Sequence, residues 1–192
     1  LGPFSCVIHN AGISSVGHFA RLPLAAQLKV LDLNLRAPLH LMAGLLRRGQ
    51  LAAPGQVILI SSLSRFVGYP GAAVYAASKD GLAAYGGSLA AALPADDHVT
   101  VVYPGPTRTA HARRYSPDNS REATRMAPAA LADGIYTAVQ QRRRQFIPGG
   151  ANRVFAALGK ALPGVTARLL RRQLLDKLEG GVLLPPEEQA HV

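Results

Sequence analysis

Short apolar runs that alternate with helical patterns are the feature that most restricts how this 192-residue sequence can fold. The runs are residues 4–8, 57–60, 99–103 and 145–147. The helical patterns are residues 22–48, 74–93 and 128–144. Strands that alternate with helices predict an α/β fold with a parallel sheet. We expect the first two runs to be buried strands and residues 99–103 to be a third strand. Cys6, which lies in the first run, is therefore expected to be a buried, inert thiol.

Polar turns follow three of the predicted strands, at residues 10–12, 61–62 and 104–109. Right-handed connections bring the carboxyl ends of parallel strands to one edge of a sheet, and ligands bind at that edge. Three segments that are distant in sequence are therefore expected to meet there and to form a site.

Residues 61–79 carry side chains whose types and spacing are suited to acid–base chemistry. Ser62 follows a predicted strand, and Tyr75 and Lys79 lie four residues apart on one face of the next helix. We expect the Lys79 cation to lower the pKa of Tyr75 from about 10, so that the phenol can act as an acid or base near neutral pH. The alternative is that Ser62 is a polar strand end and the other two are an ordinary amphipathic pair.

Composition excludes several classes of protein. Hydrophobic residues make up 48% and charged residues 17%, which indicates one globular domain rather than disorder. The single cysteine excludes an internal disulfide and favours a reducing, cytoplasmic location, and no Cys/His spacing suggests a metal site. The net charge is +10, but no nucleic-acid-binding motif accompanies it. We see no signal peptide and no membrane span of about 20 residues.

The carboxyl-terminal part has a different pattern. Residues 151–179 carry apolar side chains at helical spacing with arginines and lysines among them, and Pro163 divides the segment. We therefore divide the chain into a domain, residues 1–150, and a tail of amphipathic helices, residues 151–192. The tail helices either pack on their own domain or a partner subunit, or lie on a membrane surface. Residues 183–192 are expected to be a frayed end.

Four motifs, taken in order, resemble those of the short-chain dehydrogenase/reductase family. HNAG at residues 9–12 is similar to the NNAG motif after the family's fourth strand, and Asn34 in DLNL matches its helix asparagine. Ser62, Tyr75 and Lys79 match its serine and YxxxK pair, and PGPTRT at residues 104–109 is similar to PGxVxT. The resemblance implies a partial Rossmann-like, doubly wound parallel sheet made of the family's strands 4 to 7, followed by the amphipathic helices.

The resemblance also implies a reaction. A hydride would pass between the nicotinamide of NAD or NADP and the carbon of a small alcohol or carbonyl substrate. Tyr75 would be the acid or base, and Lys79 would lower its pKa and hold the nicotinamide ribose. Ser62 would polarise the substrate oxygen, and Asn34 would hold a water molecule that links Lys79 to solvent.

The same resemblance implies which residues bind the cofactor. They are Asn10, Ala11, Gly12, Tyr75, Lys79, Pro104, Gly105, Thr107 and Thr109. We expect His9 to be structural, and no chemistry is assigned to His18, His40, His98, His111 or His191. The polar segment 107–126 would shape the substrate pocket. Self-association is expected through the helices at residues 22–48 and 74–93.

One departure from the family is large. No Gly-rich TGxxxGxG turn, which cradles the pyrophosphate, occurs in the sequence. We expect the chain to begin at the family's fourth strand, which would leave that strand as an exposed apolar edge. Two explanations are open: a truncated dehydrogenase, or a catalytically inactive remnant that binds a partner through that edge or a membrane through its tail. We favour the first because the catalytic residues are all present.

Overall fold

A parallel four-stranded sheet forms the centre of the computed structural model, which describes residues 2–185. The strands lie in the order β1 to β4: Phe4–His9 (β1), Leu51–Ile60 (β2), His98–Val102 (β3) and Gln145–Phe146 (β4). Val57 of β2 pairs with Val7 on one side and with Val99 on the other. The predicted α/β fold with a parallel sheet is therefore confirmed.

Seven α-helices accompany the sheet within the described residues. They are Leu24–Leu31 (α1), Ala37–Arg47 (α2), Ala73–Ala92 (α3), Ala110–Arg114 (α4), Pro128–Gln140 (α5), Gly150–Ala161 (α6) and Pro163–Leu170 (α7). A wider, π-helical turn, Asp32–Arg36, joins α1 to α2. Pro38 lies four residues after Asn34 and has no N–H to give to the Asn34 carbonyl, so an ordinary α-helical bond is excluded at this point.

The two faces of the sheet contact different helices because alternate strand residues point to opposite sides. Val57, Leu59 and Val101 form one core cluster with Met42 of α2 and Leu82 of α3. On the other face, Ile58 and Val102 form a cluster with Val139 of α5. The core therefore lies on both sides of β2 and β3.

Strand β1 is the edge of the sheet, and one of its faces is open. Phe4 is 45% exposed and Ile8 is 57% exposed, and Cys6 is exposed as well. The prediction that residues 4–8 are buried, with Cys6 as a buried thiol, is wrong. Helix α5 packs over the inner strands, and no described residue pairs with the free edge of β1. The prediction of an exposed apolar edge is confirmed.

The carboxyl-terminal helices pack on the same body. Gly159 of α6 lies directly against the backbone carbonyl of Phe66, and Leu178 joins a buried cluster with Val16 and Ala72. Leu183 pairs with Val16, and Leu184 is buried, so the predicted frayed end is wrong for these two residues. The rest of that predicted end, from residue 186, lies outside the described residues.

The contact between α3 and the sheet gives a stability prediction with an internal control. A Cβ at Gly86 would lie 2.6 Å from Leu59 Cδ1 and 2.7 Å from Val101 Cγ2, whereas Gly87 has no atom within 4 Å. Gly86→Ala is expected to lower the free energy of unfolding by about 1–3 kcal/mol through overpacking. Gly87→Ala is expected to raise it by about 0.5–1 kcal/mol through helix propensity. Urea unfolding measures both, and a Gly86→Ala variant as stable as Gly87→Ala would contradict the packing.

Candidate active site

The predicted catalytic residues meet at the carboxyl ends of the strands. Ser62 follows β2 directly, Tyr75 and Lys79 lie in the first two turns of α3, and Asn34 lies in the turn Asp32–Arg36. Gly12 follows β1 and approaches two of them, since a Cβ there would lie 3.2 Å from Asn34 Oδ1 and 3.3 Å from Lys79 Nζ. The fold thus brings together residues that are up to 67 positions apart in the sequence.

Ser62 and Tyr75 form the centre of this arrangement. The Ser62 hydroxyl lies beside the phenol of Tyr75, and its oxygen accepts the Ser64 N–H at 3.2 Å. The Tyr69 ring packs beside the Tyr75 ring at 6.3 Å between centroids. Burial raises the pKa of Tyr75 to about 12, although the neighbouring Ser62 side chain acts in the opposite direction. Tyr75 is therefore a protonated acid at neutral pH in this structure.

Lys79 is buried beneath the tyrosine. Its Nζ donates to the carbonyl of Ile60 at 2.8 Å and lies 5.9 Å from the centroid of the Tyr75 ring. Burial lowers the pKa of Lys79 to about 8. The prediction that Lys79 lowers the pKa of Tyr75 is wrong for this structure, because burial dominates at the phenol and the ammonium is bonded to a strand carbonyl.

Asn34 is completely buried, and both N–H groups of its side chain are hydrogen-bonded. Its Nδ2 donates to the Ile13 carbonyl at 2.9 Å and to Ser78 Oγ at 3.0 Å, and its Oδ1 accepts the Ile13 N–H at 2.9 Å. Ser78 in turn donates to the Tyr75 carbonyl at 2.7 Å. Asn34 therefore links the segment after β1 to α3. Its predicted role in holding a water molecule stays a prediction.

The turn at residues 104–109 lies beside the end of β2. The Leu63 N–H donates to the Pro104 carbonyl at 2.9 Å, and Thr107 Oγ1 donates to the Gly105 carbonyl at 3.1 Å. Thr109 caps α4, with its Oγ1 accepting the Ala112 N–H at 3.1 Å. These hydrogen bonds hold the turn at residues 104–109 next to Ser62.

The remaining predicted cofactor residues lie at the end of β1. Asn10 and Ala11 are exposed there, on the side of the sheet edge that also carries Gly12. His9 is buried, burial lowers its pKa, and its Nε2 has no hydrogen-bond partner within residues 2–185.

His111 is a site residue that the sequence did not reveal. Its imidazole lies near the backbone of Gly12, 6.1 Å from the Tyr75 ring and 4.8 Å from the Tyr115 ring, between centroids. A lone histidine in a polar segment stands at no fixed spacing from other functional residues, so the sequence pattern does not mark it as part of a site. The one available sign was its position just after the turn at residues 104–109, at the ligand-binding end of the sheet.

Other surface features lie away from these residues. A groove of about 520 Å³ lies at the opposite, amino end of the strands, between α2 and the start of β1, and Phe4, His40 and Arg48 line it. Across residues 2–185, no three His, Cys, Asp or Glu side chains are grouped as metal ligands. No helix in the described part of the chain is both long and apolar enough to cross a membrane.

Comparison with known proteins identifies the family of this chain. A sequence profile described as short chain dehydrogenase matches residues 1–120, which is more than half of the chain. The chain belongs to the short-chain dehydrogenase family.

Particular relatives share part of their length with this chain. Dehydrogenase/reductase SDR family member 7B of Danio rerio is 27% identical over 158 residues, which are 78% of this chain and 51% of the relative. A short chain dehydrogenase from Burkholderia cenocepacia J2315, solved in complex with NADP, superposes with a TM-score of 0.71 at 20% identity, over 86% of this chain and 68% of that one. 4-hydroxyisoleucine dehydrogenase complexed with NADH gives a TM-score of 0.65 at 23% identity, over 76% and 67%. The chain spans about half the length of the curated relatives it matches.

Proposed function

We propose that these residues are the catalytic part of an NAD- or NADP-dependent oxidoreductase that acts on an alcohol or carbonyl substrate. The observation that carries the proposal is the grouping of Ser62, Tyr75 and the buried Lys79 at the carboxyl end of β2, with Lys79 Nζ 5.9 Å from the centroid of the Tyr75 ring. Family membership and solved relatives with NADP or NADH bound support the choice of cofactor.

The residues present fit a nicotinamide nucleotide. Lys79 has three N–H donors and gives one to Ile60, which leaves donors for ribose hydroxyls. Gly12 presents no Cβ in front of that amine, so a ligand can approach the backbone closely. Asn10, Ala11, Pro104, Gly105, Thr107 and Thr109 would complete the binding surface. The nicotinamide supplies or accepts the hydride when it is bound.

The protein's own part of the reaction is proton transfer and orientation. With its proton in place at neutral pH, Tyr75 is set to donate to a substrate oxygen, which corresponds to reduction of a carbonyl. Ser62 would polarise that oxygen, and Lys79 would orient the nicotinamide through the ribose hydroxyls. Asn34 would hold a water molecule through which Lys79 exchanges protons with solvent.

A Gly-rich turn at the start of a helix supplies the backbone N–H groups that bind a pyrophosphate, and residues 1–192 contain no TGxxxGxG turn. We propose that a Gly-rich βα segment pairs along β1, where an unpaired edge carries the exposed Phe4 and Ile8. The alternative is an inactive remnant, with the same edge binding an unrelated protein.

The test restores the coding sequence upstream of Leu1 and measures NADH and NADPH oxidation with a panel of ketones and aldehydes. We expect turnover in the restored protein. If the upstream sequence encodes no strand and Gly-rich turn, or if the folded protein binds NAD(P)H without any turnover, the proposal of an enzyme fails and the inactive remnant is favoured.

A membrane surface is the second candidate partner, and residues 151–192 are the part concerned. Five apolar side chains on α6, α7 and their junction are 45–61% exposed: Val154, Leu158, Leu162, Val165 and Leu169. Five basic residues and no acidic residue occur between residues 150 and 175. An apolar stripe with cations beside it is suited to anionic lipid.

Vesicle co-sedimentation tests this surface. Phosphatidylserine-containing vesicles are expected to bind the protein, and Arg168→Glu with Arg172→Glu is expected to weaken binding about 30-fold or more, at about 1 kcal/mol for each basic residue. Arg47→Glu with Arg48→Glu, on the exposed end of α2, is the matched control and should bind as before. Equal losses in both pairs would indicate a general charge effect and would contradict a specific surface.

Self-association and location complete the proposal. Leu24, Leu28 and Leu41 on α1 and α2 are 50–68% exposed, which supports a homo-oligomer through these helices and α3. Sedimentation velocity of a Leu28→Asp variant tests it, and an unchanged mass would count against this interface.

The single cysteine supports a cytoplasmic location.

A further inference from the structure

Helix α6 packs against the segment that follows Ser62. A Cβ at Gly159, in the last turn of α6, would overlap the carbonyl oxygen of Phe66 and lie 3.0 Å from its carbonyl carbon. Phe66 ends the short 3₁₀ turn Leu63–Phe66, which begins directly after Ser62. The Lys160 ammonium also lies 4.8 Å from the centroid of the Phe66 ring. The carboxyl end of α6 is therefore in direct contact with the segment that Ser62 starts.

The first turn of α6 contacts the other turn of the site, at residues 104–109. A Cβ at Gly105 would overlap Oδ1 of Asn152 and lie 2.7 Å from Cγ and Nδ2 of the same side chain. The Asn152 amide is anchored, because its Nδ2 donates to the Pro148 carbonyl at 2.7 Å. Gly105 and Asn152 are therefore packed against each other, and a larger residue at position 105 would have to displace the amide from Pro148.

A hydrogen bond joins the two turns to each other. The Leu63 N–H, next in sequence to Ser62, donates to the Pro104 carbonyl at 2.9 Å. Pro104 precedes Gly105, so a shift of the turn at residues 104–109 reaches Ser62 through this bond. Helix α6 thus holds each turn with one of its ends, and the turns are bonded to each other between these two contacts.

We propose that α6 is a brace for the candidate site, and that Asn152 and Gly159 are positioning residues that keep its two turns at a fixed separation. Each residue acts through the backbone of the turn that it contacts. The brace makes the first helix of the segment 151–192 part of the catalytic unit. Only the claim that the two turns serve a cofactor and a substrate rests on the proposed function.

An exchange of bulk between Gly105 and Asn152 tests the first contact. Gly105→Ala forces the amide away from Pro148, and Asn152→Ala removes the support of the turn. Each single variant is expected to lower turnover of the restored enzyme about 10- to 100-fold, because a displacement of about 1 Å can cost that much. In the double variant the new methyl group occupies space that the amide leaves, so turnover should return to within about three-fold of the wild type. Arg153→Ala, which truncates an exposed side chain beside Asn152, is the matched control and should not change turnover.

The Leu63 amide gives a readout that needs no turnover. Hydrogen exchange at this N–H reports whether its bond to the Pro104 carbonyl is intact. We expect protection of this amide to fall several-fold in Gly105→Ala and in Asn152→Ala and to recover in the double variant, while the amides of β2 and β3 stay protected. A residue that only stabilises the whole fold would, when replaced, lower the protection of all these amides together.

Gly159→Ala tests the second contact, and Gly150→Ala is its matched control. Both glycines lie in α6, but the Cβ position of Gly150 has no atom within 4 Å. Gly159→Ala must push α6 away from the Phe66 carbonyl, so it should lower both the protection of the Leu63 amide and turnover. Gly150→Ala should match the wild type in both measurements.

Wild-type protection of the Leu63 amide and wild-type turnover in Gly105→Ala and Asn152→Ala would overturn the proposal. A double variant as impaired as Gly105→Ala would overturn it as well, because the added methyl group would then act on something other than Asn152. If Gly159→Ala does not fold, the set of Gly105 and Asn152 variants still decides. A folded wild type without turnover would count against the proposed oxidoreductase, and the exchange measurements would still decide for or against the brace.

Discussion

Replacing Tyr75 by phenylalanine is expected to lower the turnover number of the restored enzyme by about 10²- to 10⁴-fold, the usual contribution of a positioned acid or base. Phenylalanine keeps the ring that packs between Tyr69 and His111 and removes only the hydroxyl that Ser62 contacts. The fold should therefore be unchanged, and cofactor binding should weaken little. Steady-state kinetics with NADPH and a reducible ketone give the turnover number, and quenching of NADPH fluorescence gives the affinity.

Tyr136→Phe is the matched control for this experiment. Tyr136 lies on α5 with 68% of its surface exposed, away from the carboxyl ends of the strands. Its hydroxyl should be dispensable for turnover. Wild-type turnover in Tyr75→Phe would show that another group transfers the proton, and the assigned mechanism would be wrong.

Asn34→Ala is expected to have the largest effect on stability, with a loss of about 2–5 kcal/mol in the free energy of unfolding. The side chain has no exposed surface, and its removal leaves the Ile13 N–H and C=O without their partners. Each buried polar group that loses its partner costs about 1–3 kcal/mol. Chemical denaturation followed by circular dichroism measures the change.

Asn119→Ala controls for the loss of an asparagine in general. Asn119 is exposed and donates to the Arg113 carbonyl, so its replacement should cost less than about 1 kcal/mol. Asn34→Asp is a second variant, because a carboxylate has the same shape but cannot donate to Ile13. A stability of Asn34→Ala equal to that of Asn119→Ala would contradict the role of Asn34 in fastening the two segments.

The order of strands and helices could be predicted from the sequence because it depends on local patterns. Apolar runs of strand length and the spacing of apolar residues in α3 are properties of neighbouring residues. The exposure of the β1 side chains could not be predicted from local patterns. Whether Phe4, Cys6 and Ile8 are covered depends on what lies across the sheet, and the described helix on that face packs over the inner strands.

Residue identities in the candidate site were available from the sequence, but their electrostatic balance was not. The spacing of Tyr75 and Lys79 correctly places them together on one helix, since it follows from helical geometry. The choice of Ile60 as the acceptor for Lys79 depends on how the helix crosses the sheet. The pKa of Tyr75 depends on the depth of burial, which reverses the direction expected from the lysine charge.

His111 illustrates a different limit. Its contact with Gly12 joins positions 99 residues apart, and no periodic pattern connects them. Only the path of the segment after β3 brings the imidazole back to the end of β1. Contacts of this kind follow from tertiary structure and are found by searching the neighbourhood of residues that are already assigned.

Transfer of a hydride from nicotinamide to substrate carbon tests the central claim most directly. The restored enzyme would be given NADPH or NADH carrying deuterium at C4 of the nicotinamide, together with a reducible ketone, and the alcohol product would be analysed by mass spectrometry. The predicted result is deuterium on the carbinol carbon in the wild type and the Tyr136→Phe control, with the labelled alcohol formed about 10²- to 10⁴-fold more slowly in Tyr75→Phe. A folded wild-type enzyme that binds the cofactor but yields no deuterated alcohol would contradict the assignment of this site as a hydride-transfer site.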